Sequence, residues 1–515
     1  EVGVFSTEIN ILQKEADNLD NVISRSNTGC RRLLFWIPVT IGIMLFLTGS
    51  SPFLKYMDVD SSVFYTMGRA MAEGKVPYRD LFDHKGWYIY LFNCLGVLIS
   101  PNNTVGLFVI ECLFMLANVY LIYIIVMLIN DDLLRINLTM SFMLFFLFNF
   151  ITYQHGNLVE TYGVTFQLIS VYFVVKYYLS HETEHPPVYM LIHGVCVAVM
   201  LGLRANLAAM WVPIAVLILW GLLVNRKFKN AGANILSGML GLILGFSPML
   251  LYGAYTHSLK DMFQQSILFN LAYADSGKLR LLSLFTSAKT SWVVYLSMIS
   301  LCLVIFSRYI LKFKVVYTAC LLISMYSVAL SGRNYGHYYE YLVPFLLPVI
   351  FAVSRILSKV FSRKLQCAAI PLILLLTLMV SYPSKLHSYS YTQMQRYAQP
   401  VNEFSTLYKQ KYSNKKAVLA VNNNAVIYNS FGVIPQEKYF YIPSISYSKF
   451  PEPIDSQVES ILSGRNDIVV IKYRDYKKKK IFQTSKYDTQ IKTYLKKNYT
   501  LVDENKYMEM YIKKE

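Results

Sequence analysis

Ionisable side chains are concentrated in the polar stretch that follows the first apolar segment. Asp58 and Asp60 are separated by one residue, and Asp83, His84 and Lys85 stand together further along. A carboxylate can take the proton of an attacking hydroxyl, so we predict that Asp60 is a catalytic base with Asp58 beside it. A lysine ammonium binds phosphate as a point charge, so Lys85 is predicted to bind phosphate, with Asp83 and His84 as supporting, orienting residues.

Each of these residues also has a structural interpretation. Asp58 or Asp60 could cap a helix predicted to begin near Val63. Lys85 could simply extend its ammonium to the membrane interface. His84 is expected to orient the loop rather than bind a metal, because this loop has no second histidine at ligand spacing. The spacing of Asp58 and Asp60 also matches a metal-binding motif of enzymes that use nucleotide sugars, so a divalent cation at this pair stays an alternative.

Three further turns between apolar segments carry polar residues. They contribute His155, Asn157 and Glu160, then Arg204, and then Arg333, Tyr335, His337 and Tyr338. The two arginines are predicted to bind phosphate together with Lys85, or else to act as positional anchors. The other six are predicted to bind a sugar or an acceptor, with an aromatic interfacial belt as the alternative for the tyrosines. Glu111 lies inside an apolar run, where a carboxylate marks a functional site or a hydrogen-bonded structural role.

The composition indicates the environment in which these residues work. Of 515 residues, 55% are hydrophobic and only 16% are charged, whereas soluble domains carry about 25% charged residues. The apolar residues form runs long enough to cross a bilayer, which excludes a soluble enzyme, a disordered scaffold and a secreted disulfide-rich domain. Much of the net charge of +18 lies beside apolar segments or in the C-terminal part, so we expect lipid headgroups rather than nucleic acid as its partner.

The basic loops determine the predicted topology. Arg31 and Arg32 place the N-terminus in the cytoplasm by the positive-inside rule. Twelve apolar segments can be marked, but if all of them span, the basic loops at 226–229, 308–314 and 359–364 fall outside. If one early segment is not counted as a membrane span, all three basic loops fall in the cytoplasm. The polar turns described above then face outward.

The segment to remove is 86–100. Its fifteen residues form ~22 Å of helix, against a hydrocarbon core of ~30 Å. We therefore predict that it is a juxtamembrane helix on the outer surface, and that eleven spans remain with the C-terminus outside the cell membrane.

After Tyr382 the sequence becomes polar and rich in lysine and tyrosine. Short apolar runs at 417–421 and 467–471 predict strands, and stretches near 454–463 and 488–497 predict helices. The predicted domains are a cytoplasmic segment 1–32, a transmembrane catalytic domain 33–382 and an extracytoplasmic α/β domain 383–515. Four consecutive lysines, Lys477 to Lys480, predict a solvated turn, with contact to anionic lipid or wall polymer as the alternative.

The first outer loop carries a recognisable motif. It contains Asp-Ser-x-Val-Phe from Asp60, then Gly-Lys-x-Pro-Tyr-x-Asp from Gly74, then Asp-His-Lys-Gly from Asp83. This order resembles the first outer loop of GT-C membrane glycosyltransferases, and more narrowly that of bacterial relatives of protein O-mannosyltransferases and lipid A aminoarabinose transferase. The resemblance extends more weakly to the other outer turns and to an outer C-terminal α/β domain.

This resemblance implies a polyprenyl-phosphate-linked sugar as donor, an acceptor on the outer face and inversion at the anomeric carbon. It makes Asp60 the catalytic acidic residue, Asp83 the acidic residue just before the lysine, and Lys85 the donor-phosphate lysine. The sequence departs from the family pattern in three places. Ser61 replaces a second carboxylate, Gly86 and Trp87 replace two prolines, and Val63 replaces an arginine present in some members.

We therefore predict a multi-pass membrane hexosyltransferase that moves one sugar from a polyprenyl phosphate to a polysaccharide, teichoic-type polymer or glycolipid of the cell envelope. A glycosyl phosphate leaves as a phosphate anion, which needs fixed positive charge nearby. Two alternatives stay open at this point: an oligosaccharide ligase or polymerase with a pyrophosphate-linked donor, and a lipid-linked sugar transporter or flippase. A pure anchoring protein would leave the charged first loop without a purpose.

Overall fold

The computed structural model of this chain describes residues 33–55, 57–130, 132–180, 182–274, 281–330, 332–382, 399–422 and 425–515. The predicted cytoplasmic segment 1–32 and the beginning of the predicted C-terminal domain, 383–398, lie outside the described residues. The boundaries of the three domains stay predictions.

Helices account for most of the described residues before 383. In chain order they are α1 Leu33–Leu47, α2 Val59–Ala72, α3 Trp87–Ile99, α4 Val105–Ile129, α5 Leu133–Leu147, α6 Val159–Ser180, α7 Pro187–Leu201, a 3-10 helix Ala205–Met210, α8 Trp211–Val224, α9 Phe228–Tyr255, α10 Leu259–Phe263, a π-helical turn Gln264–Leu268, α11 Phe269–Ala274, α12 Leu281–Thr286, α13 Ser291–Ile305, α14 Leu311–Leu330, a 3-10 helix Gly336–Leu346, α15 Leu347–Val360 and α16 Arg363–Ser381. Apolar segments form helices because a helix satisfies its own backbone hydrogen bonds without water.

Each of the eleven segments predicted to span coincides with helical structure. Among the described residues, six stretches are long and apolar enough to cross a membrane by length and composition: Val105–Ile129, Ala205–Val224, Phe228–Tyr255, Leu311–Leu330, Gly336–Val360 and Arg363–Ser381. The chain is thus a multi-pass membrane protein. The count of eleven spans stays a prediction.

The segment predicted to be juxtamembrane forms the short helix α3. It packs against α2 and α4. Gly96 of α3 and Gly106 of α4 allow these two backbones to touch, since a Cβ on either glycine would collide with the other helix. The turn before α3 is equally tight: Gly86 N donates to Leu203 O (3.1 Å), and a Cβ on Gly86 would collide with the backbone of Gly202. The glycine that departs from the family pattern therefore allows the first loop to lie against the turn after α7.

The C-terminal region contains a four-stranded sheet flanked by helices. Its elements are α17 Gln399–Leu407, a π-helical turn Tyr408–Tyr412, β1 Val418–Val421, α18 Ala425–Phe431, α19 Glu452–Leu462, β2 Ile468–Lys472, α20 Asp488–Asn498, β3 Tyr499–Glu504 and β4 Met508–Lys513. The strand order is β1-β2-β4-β3, with β1 and β2 parallel and the other neighbours antiparallel. The strands and helices predicted in this region are all present, and a small C-terminal α/β unit is confirmed.

The two faces of this sheet have different partners. Alternate side chains of a strand point to opposite faces. Leu419 and Val469 belong to the hydrophobic cluster that includes α19 and α20, whereas Ala420 and Val470 join the cluster that contains Phe64 and other first-loop residues. The sheet is therefore packed directly on the loop that carries the predicted catalytic residues.

Hydrogen bonds reinforce this contact. Phe82 N donates to Lys438 O (2.8 Å), and Lys75 Nζ donates to Pro435 O (2.9 Å). Asn429 of α18 donates to Ser62 O of α2 (2.9 Å). The C-terminal region is therefore one of the elements that position the site.

Candidate active site

A cavity of about 550 Å³ lies between the first loop and the C-terminal region. The first loop, the turn before α6, the segment before α13, the 3-10 helix that begins at Gly336 and the segment 441–444 all contribute to its walls. Eight of the predicted site residues line it: Asp58, Asp60, Asp83, His84, Lys85, Tyr335, His337 and Tyr338. The structure thus brings together the carboxylates, the lysine and the aromatic residues that the sequence places on different turns.

Asp58 and Asp60 belong to the first turn of α2. This helix begins at Val59, four residues before the predicted start, because Asp58 is its N-cap and accepts a hydrogen bond from Val59 N (2.6 Å). Asp60 lies inside the first helical turn and leaves the capping to Asp58. The Asp60 side chain therefore does not cap the helix, and it lines the cavity.

The pKa of Asp58 is raised to about 6. Burial is the largest cause and the nearby charge of Asp60 adds to it, while the Val59 N–H and the ammonium of Lys472 act in the opposite direction. Lys472 is the last residue of β2, and its own pKa is lowered to about 7, chiefly by burial and then by Arg474, with Asp58 opposing the shift. The charges of Asp58 and Lys472 therefore act on one another, although the two residues are far apart in the sequence.

Asp83, His84 and Lys85 form a connected chain of polar groups. His84 Nδ1 lies 3.2 Å from Asp83 Oδ1, and Lys85 Nζ lies 3.1 Å from His84 Nε2. An ammonium can only donate, so Nε2 is the acceptor and Nδ1 carries the proton that faces Asp83. His84 therefore fixes the direction of the Lys85 side chain.

The protonation states agree with this arrangement. Burial would raise the pKa of Asp83, but the hydrogen bond and charge of His84, the charge of Lys85 and the hydrogen bond of Tyr441 outweigh it and hold that pKa below its usual range. Burial and then the charge of Lys85 lower the pKa of His84, so its ring is neutral at neutral pH. With Asp83 ionised and His84 neutral, the positive charge among these three residues is on Lys85.

Tyrosines hold this segment in place. Tyr441 donates to Asp83 Oδ1 (2.5 Å) and Tyr90 donates to Asp83 Oδ2 (2.8 Å). The carbonyl oxygen of Lys85 accepts from Tyr78 OH (2.8 Å). Asp83 is buried, and these donors satisfy a carboxylate that would otherwise be costly to remove from water.

The two predicted arginines do not line the cavity. Arg204 forms an ion pair with Glu160, and its guanidinium lies over the ring of Tyr338, 3.7 Å from the centroid. Arg333 is half-buried and donates to Ser444 O (2.5 Å) and to Tyr335 OH (3.2 Å). Arg204 therefore supports a wall of the cavity from behind, and Arg333 lies at its rim.

His155, Asn157 and Glu160 also lie behind the cavity wall. Asn157 N donates to Glu111 Oε1 (2.6 Å), and the side chain of Asn157 donates to Ser61 Oγ (3.1 Å), one residue after Asp60. His155 Nδ1 lies 3.0 Å from Leu47 O. These contacts join the turn before α6 to α1, α2 and α4, so the geometry gives these residues a supporting position rather than one on the cavity surface.

The same turn carries Gln154, which the sequence did not single out. Residues 154–157 all have positive φ, of 46°, 71°, 81° and 49°, a conformation that only glycine adopts without strain. Gln154 lines the cavity, and its Oε1 lies 3.0 Å from His337 Nδ1. The buried contacts of Glu111 and Asn157 hold the strained turn that brings Gln154 to this position.

Two other cavity residues were also missed. Lys289, in the turn before α13, contributes a second lysine to the lining, and Tyr441 comes from the C-terminal region. Listing every cation in the turns on the side of the first loop would have found Lys289. No sequence signal near Tyr441 connects it to Asp83. Within the described residues, no group of three or more His, Cys, Asp or Glu side chains could hold a metal ion.

Comparisons with known proteins identify the fold. ArnT from Cupriavidus metallidurans bound to undecaprenyl phosphate matches with a TM-score of 0.63 and 10% identity, over 93% of this chain and 97% of that chain. The apo form of the same protein matches with a TM-score of 0.59 and 9% identity, over 95% of this chain and 98% of that chain. ArnT is a GT-C aminoarabinose transferase, so the GT-C fold that the first-loop motif predicts is confirmed.

A sequence family also matches. The family described as "Putative competence-induced protein Ccs4 N-terminal domain" covers residues 30–378. A search of curated protein sequences finds no match to the chain.

Proposed function

Because the chain belongs to the family of Ccs4 N-terminal domains and has a GT-C fold, we propose that it is a glycosyltransferase that takes a single sugar from a polyprenyl phosphate. One observation carries the proposal: a single cavity beside the membrane helices is lined by the carboxylates Asp58 and Asp60 and by the lysines Lys85 and Lys289. Undecaprenyl phosphate bound to ArnT, a protein of the same fold, supports a lipid phosphate as the donor carrier.

The proposed reaction is an inverting displacement. The acceptor hydroxyl oxygen attacks the anomeric carbon while the bond from that carbon to the phosphate oxygen breaks. Asp60 takes the hydroxyl proton, and the polyprenyl phosphate leaves with the bonding electron pair as an anion. Lys85, directed by His84, and Lys289 stabilise the negative charge that develops on this phosphate. Asp83 keeps His84 in the required tautomer.

The membrane arrangement follows from the same proposal. We place the N-terminus in the cytoplasm, and the cavity and the C-terminal region outside. On that side of the membrane an activated sugar is available in lipid-linked form. The acceptor is then a component of the cell envelope. A divalent cation at Asp58 and Asp60 stays an alternative, and the displacement as written does not require one.

The experiment uses the purified full chain in nanodiscs. It is incubated with a radiolabelled polyprenyl-phosphate hexose and an envelope extract, and the transferred label is counted. Parallel samples contain a nucleotide sugar or a polyprenyl-pyrophosphate-linked sugar. We expect transfer only from the monophosphate donor. Transfer from the pyrophosphate donor alone, or donor consumption equal to that of empty nanodiscs, would contradict the proposal.

The transfer rate should rise as the pH increases through about 6. Below this pH Asp58 is mostly protonated, since its pKa is about 6, and its neutral form gives Asp60 less electrostatic help in accepting a proton. Above this pH the ionised Asp58 places a negative charge beside the developing positive charge of the acceptor hydroxyl, which favours loss of its proton. Asp58→Asn, which keeps a capping side chain, should remove this inflection from the profile of rate against pH. An unchanged inflection in the variant would assign it to another group.

A further inference from the structure

A basic hairpin projects from the C-terminal sheet. We use this name for residues 473–482, which follow β2. Arg474 N donates to Ile481 O (3.2 Å), and Asp475 and Lys480 exchange backbone hydrogen bonds of 3.2 and 2.9 Å. Asp475 Oδ1 also accepts from Lys477 N (3.0 Å). The backbone of the turn with the four lysines is therefore held by hydrogen bonds within the hairpin.

The four lysines do not all have the same surroundings. Lys479 is used within the domain, since its Nζ lies 2.9 Å from Glu509 and 3.5 Å from Glu504. Lys477, Lys478 and Lys480 form no ion pair with the acidic residues that the structure describes. The hairpin thus carries positive charge that the folded chain leaves available to a ligand.

An open groove of about 560 Å³ runs beside the hairpin. Arg474, Lys477 and Lys480 line it, together with the half-buried ring of Tyr476 and with Asp475, whose carboxylate already accepts from the backbone N–H groups of Lys477 and Lys478. Tyr476 packs edge-to-face against Tyr507, with ring centroids 5.0 Å apart, which fixes the orientation of its ring. Cations beside a fixed aromatic ring suit a charged sugar chain, because the C–H face of a sugar ring packs on an aromatic face while its acidic groups meet the lysines.

The groove is close to the proposed catalytic cavity. Gln483, which lines the groove, donates to Ile445 O (2.8 Å), and the preceding residue, Ser444, lines the cavity. On the other side, Lys472 directly precedes the hairpin and interacts with the charge of Asp58. These two connections link the two ends of the hairpin to the segment 441–444 and to Asp58, which both line the cavity.

We propose that the basic hairpin is the docking surface for the acceptor, and that this acceptor is an anionic glycan. This inference rests on the proposed transferase function. Asp58 and Asp60 would repel a polyanion that approached the cavity unaided, and a row of cations beside the entrance raises its local concentration. A lipid surface fits less well, because Lys477, Lys478 and Lys479 at the tip of the hairpin offer no apolar side chain to insert between headgroups, and because Gln483 of the groove is hydrogen-bonded to the segment that lines the cavity.

The test measures binding of labelled oligogalacturonate to the full chain in phosphatidylcholine nanodiscs by fluorescence anisotropy. Replacing Lys477, Lys478 and Lys480 together by glutamine should weaken binding about tenfold and reduce its sensitivity to salt. The matched control replaces Lys409, Lys411 and Lys416, three exposed lysines of the same region that line neither the groove nor the cavity. It removes the same charge and should leave binding within twofold of the parent chain.

Two further ligands test the chemistry of the glycan. A neutral maltodextrin of equal length should bind at least tenfold more weakly than oligogalacturonate. Inorganic polyphosphate has no sugar ring, so Tyr476→Leu should weaken binding of oligogalacturonate and leave binding of polyphosphate unchanged. Equal effects of Tyr476→Leu on both polyanions would overturn the assignment to a glycan.

Two outcomes would overturn the docking surface itself. One is an equal loss of binding in the hairpin variant and in its matched control. The other is a difference in oligogalacturonate affinity between the parent and the hairpin variant that disappears when phosphatidylglycerol is added to the nanodisc. This result would show that the hairpin binds lipid. Binding needs neither donor nor turnover. If the parent chain transfers no sugar but still binds oligogalacturonate through the hairpin, the transferase function is therefore refuted and the glycan-binding surface is supported.

Discussion

Replacing Asp60 by asparagine is expected to lower sugar transfer by about 10³-fold, the loss that follows removal of a general base. Asparagine has the shape of aspartate but cannot accept the proton of the acceptor hydroxyl. The variant should fold normally, because Asp58 and not Asp60 caps α2. The measurement compares the initial transfer rate of the variant and the parent chain at saturating donor, and donor binding should be nearly unchanged.

Asp58→Asn is the matched control for this prediction. It removes the neighbouring carboxylate from the same helical turn, and asparagine caps a helix as well as aspartate does. We expect a much smaller loss of transfer above the pKa of Asp58. If Asp60→Asn keeps full activity, Asp60 is not the base. If Asp58→Asn shows the large loss instead, the base is Asp58.

The second large effect is expected from Lys85→Gln. It should lower kcat by about 10²-fold, because the negative charge of the leaving phosphate loses the cation that His84 directs towards the cavity. The donor KM should rise as well, since the ground-state phosphate is also bound there. Lys289→Gln should act in the same direction, because Lys289 lines the same cavity and its positive charge also stabilises the leaving phosphate.

Lys55→Gln provides the control for Lys85. Lys55 is an exposed lysine of the same first loop and does not line the cavity. The Lys55→Gln variant should transfer sugar at the same rate as the parent chain. A loss in Lys55→Gln equal to that in Lys85→Gln would show that general surface charge, and not a phosphate site at Lys85, supports the reaction.

Several features of this protein could be predicted from neighbouring residues alone. The apolar runs predicted the positions of the helices, because a helix in lipid must be apolar over its own length. The strands at 417–421 and 467–471 were visible because each is a short apolar run covered on both faces of the sheet. The cluster from Asp83 to Lys85 could be recognised because its members are consecutive in the chain.

Residues joined by long-range contacts were much harder to assign. Arg204 and Arg333 were expected to bind phosphate because each is a cation at the end of a helix. The contacts that the structure gives them, with Glu160 and Tyr338 for Arg204 and with Ser444 for Arg333, depend on how distant helices and the C-terminal region pack. Lys289 is a lone lysine in a short turn with no local motif around it, and only the fold brings it to the cavity that contains Lys85.

The amino-acid sequence by itself determined the membrane helices, the strand segments and the charged first loop, since hydrophobic pattern and local motif act over a few turns of chain. Only the tertiary structure decided which polar groups face one another. Tyr441 donates to Asp83 across more than 350 positions of the chain, and the charge of Lys472 acts on Asp58 across more than 400. Such contacts depend on the packing of the sheet against the first loop, and no local pattern of residues encodes that packing.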